Sequence, residues 1–348
     1  MTSRERLLAA ARLERVDRVP VSPFGLGHLP FHSPMAQELI RVTDPFLTAG
    51  IGGPFLGRAV AAETVTEGNQ STTVYHTPKG DLRHVRQHTE VTSATIEFPL
   101  RTADDIEILL SIPFEAVEPN PRSFLELKQS VGEEALVLAG IGTAVCVPAE
   151  WFSPEDFCFL WADAPSAMKH LVDVAADRLN AFIDKACAMG VTEYRLVGGE
   201  YVTTQLGPAA VPGLISAPDG ELVEIIHRHG GIAYYHNHGP IMRFLPEFAA
   251  LGIDFLDPLE GPPFADADLG EARRLLGDRV CMVGNLDDME VTNQRSETEV
   301  RALGAARLAE AGSRGFCLGG TASGTYGEHG ARNFMALVDV AEEFGWQE

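Results

Sequence analysis

Short apolar runs alternate with amphipathic segments from about residue 135 to the end of the chain. The apolar runs, at 135–141, 194–197, 232–235, 253–256, 280–283 and 315–318, predict buried strands. The intervening segments repeat apolar residues at helical spacing and predict helices near 154–162, 165–190, 217–229, 241–251, 267–276, 296–311 and 328–344. Strands separated by helices in this way are typical of parallel β/α units.

The first hundred residues follow a different pattern. Residues 3–15 repeat apolar positions at helical spacing after a cap at Thr2 or Ser3, and residues 17–21 lead into a short strand. Between residues 61 and 100, apolar and polar positions alternate with a period of two, and the turn sequence at 77–81 separates two of the runs. This stretch predicts an antiparallel β-meander inserted into the β/α units.

Small or ionisable residues follow six of the predicted strands. They lie at 140–143, 198–200, 236–239, 257–260, 284–287 and 319–323. In a (β/α)8 barrel all such loops meet at one mouth, whereas an open sheet brings only a few together. The sequence therefore predicts an α/β fold, a (β/α)8 TIM barrel over residues 1–348 with the meander at 61–100 as an N-terminal insertion.

Two histidines end the apolar strand at 232–235. Side chains two residues apart in an extended segment point the same way, so His236 and His238 can reach one ion or one substrate together. Neutral imidazole suits zinc. The alternative is a pair of partly exposed loop histidines that lie close by chance.

Other predicted strand ends offer further ligands. Glu200 follows Gly198-Gly199 and would complete a His, His, Glu set with an open position, or else it caps a helix. Cys317 lies inside the last apolar strand, where a thiol is either a zinc ligand or a buried structural residue. Thr321 and Ser323 lie past that strand, but hydroxyls are not usual zinc ligands.

Charge and cysteine content exclude some classes of protein. The chain has 49 Asp and Glu against 27 Lys and Arg, a net charge of -22, which disfavours nucleic acid and anionic membranes as partners. The five cysteines form no CxxC pair, so a disulfide framework is not expected. With no signal-peptide core and no long apolar stretch, we expect a cytoplasmic protein.

In the order of its short motifs, nearly the whole chain resembles the uroporphyrinogen decarboxylase superfamily, and within it the cobalamin-dependent methyltransferase-like branch. The motifs lie at 1–21, 77–80, 236–239, 284–285 and 333–335. The resemblance implies a (β/α)8 barrel and a zinc-assisted transfer of a methyl group to or from a corrinoid on a separate protein. The decarboxylases themselves hold their carboxylated tetrapyrrole with an Arg-rich N-terminal loop, but the loop at 23–28 here has no arginine.

That branch holds its zinc with His-x-Cys, a second Cys and often a Glu. By resemblance, His236 matches the His, His238 replaces the first Cys, and Glu200 matches the Glu, while Cys317, Thr321, Ser323 or water supplies the fourth ligand. An imidazole and a hydroxyl in place of two thiolates favour a Lewis acid acting on oxygen. We therefore expect O-demethylation of a small methyl ether.

Two alternatives stay open from the sequence. One is a lyase on the same barrel with Asp257 or Glu260 as the acid, and the other is a corrinoid- or tetrapyrrole-binding protein without turnover. In the methyltransferase hypothesis, His236 and Glu200 are catalytic together with Asp257 and Asn285, which orient ligands or substrate. Tyr201 and Tyr235 would line the pocket or join the core. The methyl donor and the oligomeric state stay open, a homodimer being one alternative.

Overall fold

The computed structural model describes residues 1–90, 92–321 and 324–346. Within them the strands are β1 Val21–Ser22, β2 Phe46–Gly50, β3 Ala61–Glu67, β4 Gln70–Thr77, β5 Gly80–His88, β6 Ser93–Glu97, β7 Leu136–Gly142, β8 Glu193–Val197, β9 Ile232–His236, β10 Phe255–Asp257, β11 Cys281–Leu286 and β12 Phe316–Gly320. The α-helices are α1 Ser3–Ala11, α2 Pro34–Val42, α3 Ala103–Leu110, α4 Arg122–Val131, α5 Cys146–Trp151, α6 Pro154–Asp163, α7 Pro165–Ala188, α8 Ala217–Arg228, α9 Leu245–Ala250, α10 Leu269–Leu276, α11 Glu297–Ala311 and α12 Glu328–Phe344. Short π- and 3₁₀-helices lie at Tyr201–Leu206, Pro208–Ala210, Pro212–Ser216, Met242–Phe244 and Asp288–Thr292.

Eight strands form a curled parallel sheet in the order β1-β12-β11-β10-β9-β8-β7-β2. Its two outer strands meet, because Phe24, just after β1, forms a parallel bridge with Phe46 in β2. Helices follow most strands and cover the outside of the sheet. The prediction of a TIM-barrel-like fold is confirmed.

The barrel interior is filled by large side chains from alternate positions of the strands. The rings of Phe46, Tyr234 and Phe255 meet there with centroids 4.8 to 5.5 Å apart. Leu7 of α1 packs into the same cluster, and Arg4 of that helix pairs with Glu193 at the start of β8. Helix α1 therefore closes the amino-terminal end of the barrel, which leaves the carboxyl end as the open mouth.

The predicted meander is the second sheet, antiparallel and in the order β3-β4-β5-β6. The turn after Thr77 joins β4 to β5, with Thr77 opposite Gly80. Tyr75 packs on Trp151 of α5 with ring centroids 5.0 Å apart, and Leu82 is buried in the main core. The meander thus rests on the barrel through one apolar face.

The structure differs from the predicted elements at three strands. Strand β2 was not predicted, because its sequence, Phe46–Gly50, begins after Pro45, ends in Gly and has no clear period. Strands β11 and β12 run further than the apolar runs indicated, so Asn285 and Gly319 lie in register inside strands and not in loops. The residues that extend them, at 284–286 and 319–320, are mostly glycine with one asparagine, a composition that typically indicates a loop.

Among the described residues, no helix combines the length and the apolar character that a membrane crossing requires.

Candidate functional site at the mouth of the barrel

Strand β9 carries the first histidine into the barrel. Side chains along it alternate, so Tyr234 and His236 face inward while Tyr235 faces the surrounding helices. His236 is buried and lies in register with Asp257 of β10. Its Nδ1 is 2.7 Å from Asp257 Oδ2. This bond favours the tautomer with the proton on Nδ1, so Nε2 carries a lone pair that can bind a metal ion or accept a hydrogen bond.

The second histidine has a carboxylate of its own. His238 Nδ1 lies 3.2 Å from Glu260 Oε1, and Glu260 Oε2 accepts a hydrogen bond of 3.0 Å from the Gly239 N–H. The two imidazole rings are perpendicular, with centroids 4.5 Å apart. The predicted pair of histidines therefore meets at the mouth, each ring held by a different acidic residue.

The two histidines differ in protonation. Burial lowers the pKa of His236, although the Asp257 carboxylate opposes this. The hydrogen bond to Glu260 raises the pKa of His238. Burial pushes the pKa of Glu260 up, but the bonds from His238 and Gly239 outweigh it and hold that pKa below its ordinary value. At neutral pH the site therefore pairs a neutral imidazole with a more basic one.

Asn237, between the two histidines, fixes the loop that carries them. Its backbone N–H donates to the Asp257 carbonyl at 2.6 Å, and its side-chain nitrogen donates to Thr203 Oγ1 at 3.1 Å. Gly199 approaches this side chain so closely that a Cβ there would lie 2.5 Å from Asn237 Oδ1. No pattern in the sequence points to a role for Asn237 or Thr203.

Glu200 begins the π-helical turn Tyr201–Leu206. Its Oε2 accepts a hydrogen bond of 3.2 Å from the Gly198 N–H, so its carboxylate folds back on its own loop. Its negative charge contributes to the raised pKa of His238, so Glu200 lies close enough to that imidazole to affect its protonation. The capping alternative therefore describes its contacts, and its role as a ligand stays a prediction.

Cys317 lies deeper in the barrel. It is fully buried, its Sγ is 3.8 Å from Cys281 Sγ, and burial raises the pKa of its thiol well above the ordinary value. Thr321 Oγ1 donates to Asp287 Oδ2 at 3.4 Å, and Ser323 lies outside the described residues. Within the described part of the chain, no three His, Cys, Asp or Glu side chains group closely enough to hold a metal ion.

Asn285 faces the mouth from β11. It is buried, and its Oδ1 accepts no hydrogen bond from any described residue. An unsatisfied buried carbonyl oxygen is costly, and because almost none of its surface is accessible, a substrate reaches it only if the side chain turns toward the mouth.

The two predicted tyrosines belong to the packing around the barrel. Tyr235 points outward and donates to Asp219 Oδ2 of α8 at 2.6 Å. Tyr201 is partly buried against the core, and burial raises its pKa to about 12.

Arg195 is a functional candidate that the sequence analysis missed. It occupies an inward position of β8, in register with Tyr234 of β9, and its guanidinium lies 4.4 Å from the centroid of the Phe24 ring. Its charge contributes to the lowered pKa of His236. The signal was present in the sequence, since a charged residue in the middle of an apolar strand run is unusual.

Comparisons with known proteins fit this architecture. A family model described as uroporphyrinogen decarboxylase (URO-D) matches residues 84–344. A solved structure of a methyltransferase from Methanosarcina mazei aligns over 99% of both chains with a TM-score of 0.66 and 14% identity, which supports the same fold.

Two methionine synthase structures align less well. A B12-independent enzyme from Shewanella sp. W3-18-1 has 11% identity and a TM-score of 0.46, over 82% of this chain and 75% of its own. A putative vitamin-B12 independent enzyme from Listeria monocytogenes has 15% identity and a TM-score of 0.44, over 68% of this chain and 73% of its own. No curated protein matches the sequence significantly.

Proposed function

Because the chain belongs to the uroporphyrinogen decarboxylase family, we propose that it is a methyltransferase, which moves a methyl group between a small methyl ether and a corrinoid carried by a separate protein. The methyltransferase from Methanosarcina mazei, which shares the fold over nearly the full length, is consistent with this class of reaction. The site supports it through the chemistry of its histidines.

The observation that carries the proposal is the pairing of His236 with Asp257 and of His238 with Glu260 at one strand end. A carboxylate on one imidazole nitrogen orients the ring and makes the other nitrogen a better donor, and this is the usual surrounding of a histidine that ligates a metal. Both rings lie at the open end of the barrel, where substrates of such folds bind.

The two histidines supply only part of the three or four protein ligands that zinc takes, and the described residues bring no third one to them, so a zinc site here would need a further ligand to turn in. His236 and His238 would hold it through Nε2, while Glu200 and Cys317 point elsewhere in the described structure. When bound, zinc supplies a Lewis acid toward an ether oxygen. Asp257 keeps the His236 ring in place.

Glu260 holds the His238 ring in place through its contact with Nδ1. Each carboxylate therefore fixes the orientation of one imidazole. Asn285, at an inward position of β11, would turn its amide toward a substrate and orient it at the mouth.

Metal content is the first test. Elemental analysis of the purified protein is expected to give roughly one zinc ion per chain. The His236→Ala and His238→Ala variants should lose it. His229→Ala is the matched control, because His229 also pairs with a carboxylate, Asp184, at 2.9 Å, but on the outer surface.

A wild-type protein without zinc, even after zinc is added back, would remove the ligand assignment. Equal zinc in all four proteins would place the metal elsewhere. Methyl transfer is then measured as methylation of reduced cobalamin in the presence of methyl ethers, with the same variants. Turnover that survives both histidine substitutions would refute the proposed role of the site.

A further inference from the structure

Arg195 is a cation held inside the mouth of the barrel. Its position on β8 pairs with Gly140 of β7 on one side and Tyr234 of β9 on the other. Phe24 covers one face of the guanidinium at 4.4 Å. Stacking on an aromatic ring fixes the plane of the group and leaves its N–H edges free to donate.

Those N–H groups have no protein acceptor. Among the described residues, none forms a hydrogen bond or an ion pair with Arg195, and its Nε is buried without a partner. Among the described residues, the two arginines that are buried as whole residues have a carboxylate acceptor. Arg6 and Arg18 both bond to Asp44, at 2.5 and 2.6 Å.

Arg195 is half-buried, so its guanidinium is partly desolvated with no protein acceptor, and a planar anion would satisfy it. Carboxylate matches the fork of arginine with two parallel hydrogen bonds. The site would hold one such group only, since the chain carries a net charge of -22 and the mouth already contains Asp257 and Glu260. Repulsion from these acids disfavours a substrate with several carboxylates.

The register of the strands places this cation beside the histidines. Arg195 lies two residues before Val197, which is in register with His236 on the neighbouring strand. An anion bound to Arg195 would therefore bring the rest of a small molecule toward the imidazoles.

We propose that Arg195 is the anion-binding residue of the mouth and that the substrate carries a single carboxylate. The inference deepens the proposed function, because it names the class of methyl ether, but it can be tested without turnover, metal or corrinoid.

The test compares binding of methoxyacetate and of 2-methoxyethanol, a neutral methyl ether of nearly the same size, by ligand-observed NMR or calorimetry. Both are small enough that exclusion by size cannot explain a negative result. Wild type is expected to bind methoxyacetate at least about tenfold more tightly than the alcohol, as charge-assisted hydrogen bonds predict. Arg195→Gln should abolish that preference, and Arg195→Lys should recover part of it.

Arg243→Gln is the matched control, because Arg243 also stacks on a phenylalanine, Phe244, at 4.6 Å, but is exposed. It should keep the wild-type preference. If Arg195→Gln does not fold, Arg195→Lys decides, because it keeps the charge but loses the second parallel hydrogen bond, and a preference unchanged from wild type would overturn the assignment.

A wild type that binds both ethers equally would overturn the inference, as would an Arg195→Gln variant that folds and keeps the preference. Carboxylate binding lost in Arg195→Gln, together with no methyl transfer, would support the anion site and refute only the proposed reaction. Methyl transfer from the neutral ether, with Arg195→Gln as active as wild type, would refute the anion site and support the reaction.

Discussion

Asp219 is a buried acid whose protonation should set how stability depends on pH. It lies on α8 with 1% of its surface exposed, and its Oδ2 accepts a hydrogen bond of 2.6 Å from the Tyr235 hydroxyl. Its Oδ1 has no hydrogen-bond partner in the described structure. Burial raises its pKa from 3.8 to about 7, although the bond from Tyr235 acts in the other direction.

Whether stability rises or falls with pH follows from the protonation of Asp219 in the folded and unfolded chain. Between pH 4 and pH 7 the unfolded chain releases the proton of Asp219 and the folded protein keeps it, so the folded state loses stability as the pH rises. Three pKa units correspond to a total of about 4 kcal/mol. About 2 kcal/mol of this should fall between pH 5 and pH 7, and the loss should level off above the folded pKa.

Asp219→Asn removes the titration and keeps an oxygen that can accept from Tyr235. The measurement is the free energy of unfolding in urea at pH 5, 6, 7 and 8, with transitions followed by tryptophan fluorescence and far-UV circular dichroism. The variant's stability relative to wild type should rise by about 2 kcal/mol from pH 5 to pH 7. The test is the change of this difference with pH. The stability of the Asp219→Asn variant at any one pH is also lowered by the buried amide, whose N–H groups have no acceptors.

Glu271→Gln is the control for the loss of one carboxylate. Glu271 lies at the surface, and its hydrogen bond with Arg274 lowers its pKa, so it is ionised over most of this range beside a partner that stays charged, and the variant should give a nearly flat difference. A flat difference for Asp219→Asn over the same range would refute the reasoning, because the acid would then ionise alike in both states. Tyr235→Phe, which removes the opposing hydrogen bond, should extend the decline to higher pH.

Two further predictions concern the loop at the mouth. Glu260→Gln should lower the pKa of His238, because it removes the carboxylate that favours the protonated ring. NMR titration of the imidazole signals measures this pKa, and an unchanged value would exclude Glu260 as the partner of His238. Gly199→Ala should cost about 1–3 kcal/mol of folding free energy, since its Cβ would clash with Asn237. Gly213→Ala is the control, because a Cβ there meets nothing within 4 Å, and it should be neutral or slightly stabilising. Equal stabilities of the two variants in thermal or urea unfolding would contradict the close approach of Gly199 to Asn237.

Most of the barrel followed from periodicity, because its later strands are apolar on both faces. The runs at 232–235 and 315–318 became β9 and β12, each extended by inward residues at its carboxyl end. The meander was equally clear, since its one covered face alternates with exposed positions. Strand β2 could not be predicted from periodicity, because Phe46–Gly50 mixes apolar and small residues. Its pairing with β7 depends on the closure of the barrel.

The site was predictable only in part, for a physical reason. The sequence spacing of His236 and His238 fixed their common direction, and the structure brings them together. Their partners Asp257 and Glu260 come from another strand end, and only the register of neighbouring strands decides which acid meets which imidazole. The inward position of Cys317 was within reach of the alternation, but its depth below the mouth was not.

Arg195 changes the argument about the substrate's charge. The loop at 23–28 has no arginine with which to hold a polycarboxylate. The structure adds one cation from within a strand, where Phe24 covers one face of it and no acid meets it. One arginine can neutralise one carboxylate, while Asp257 and Glu260 repel any further negative charge. A methyl ether that carries a single carboxylate satisfies both constraints, and a tetrapyrrole with many carboxylates satisfies neither.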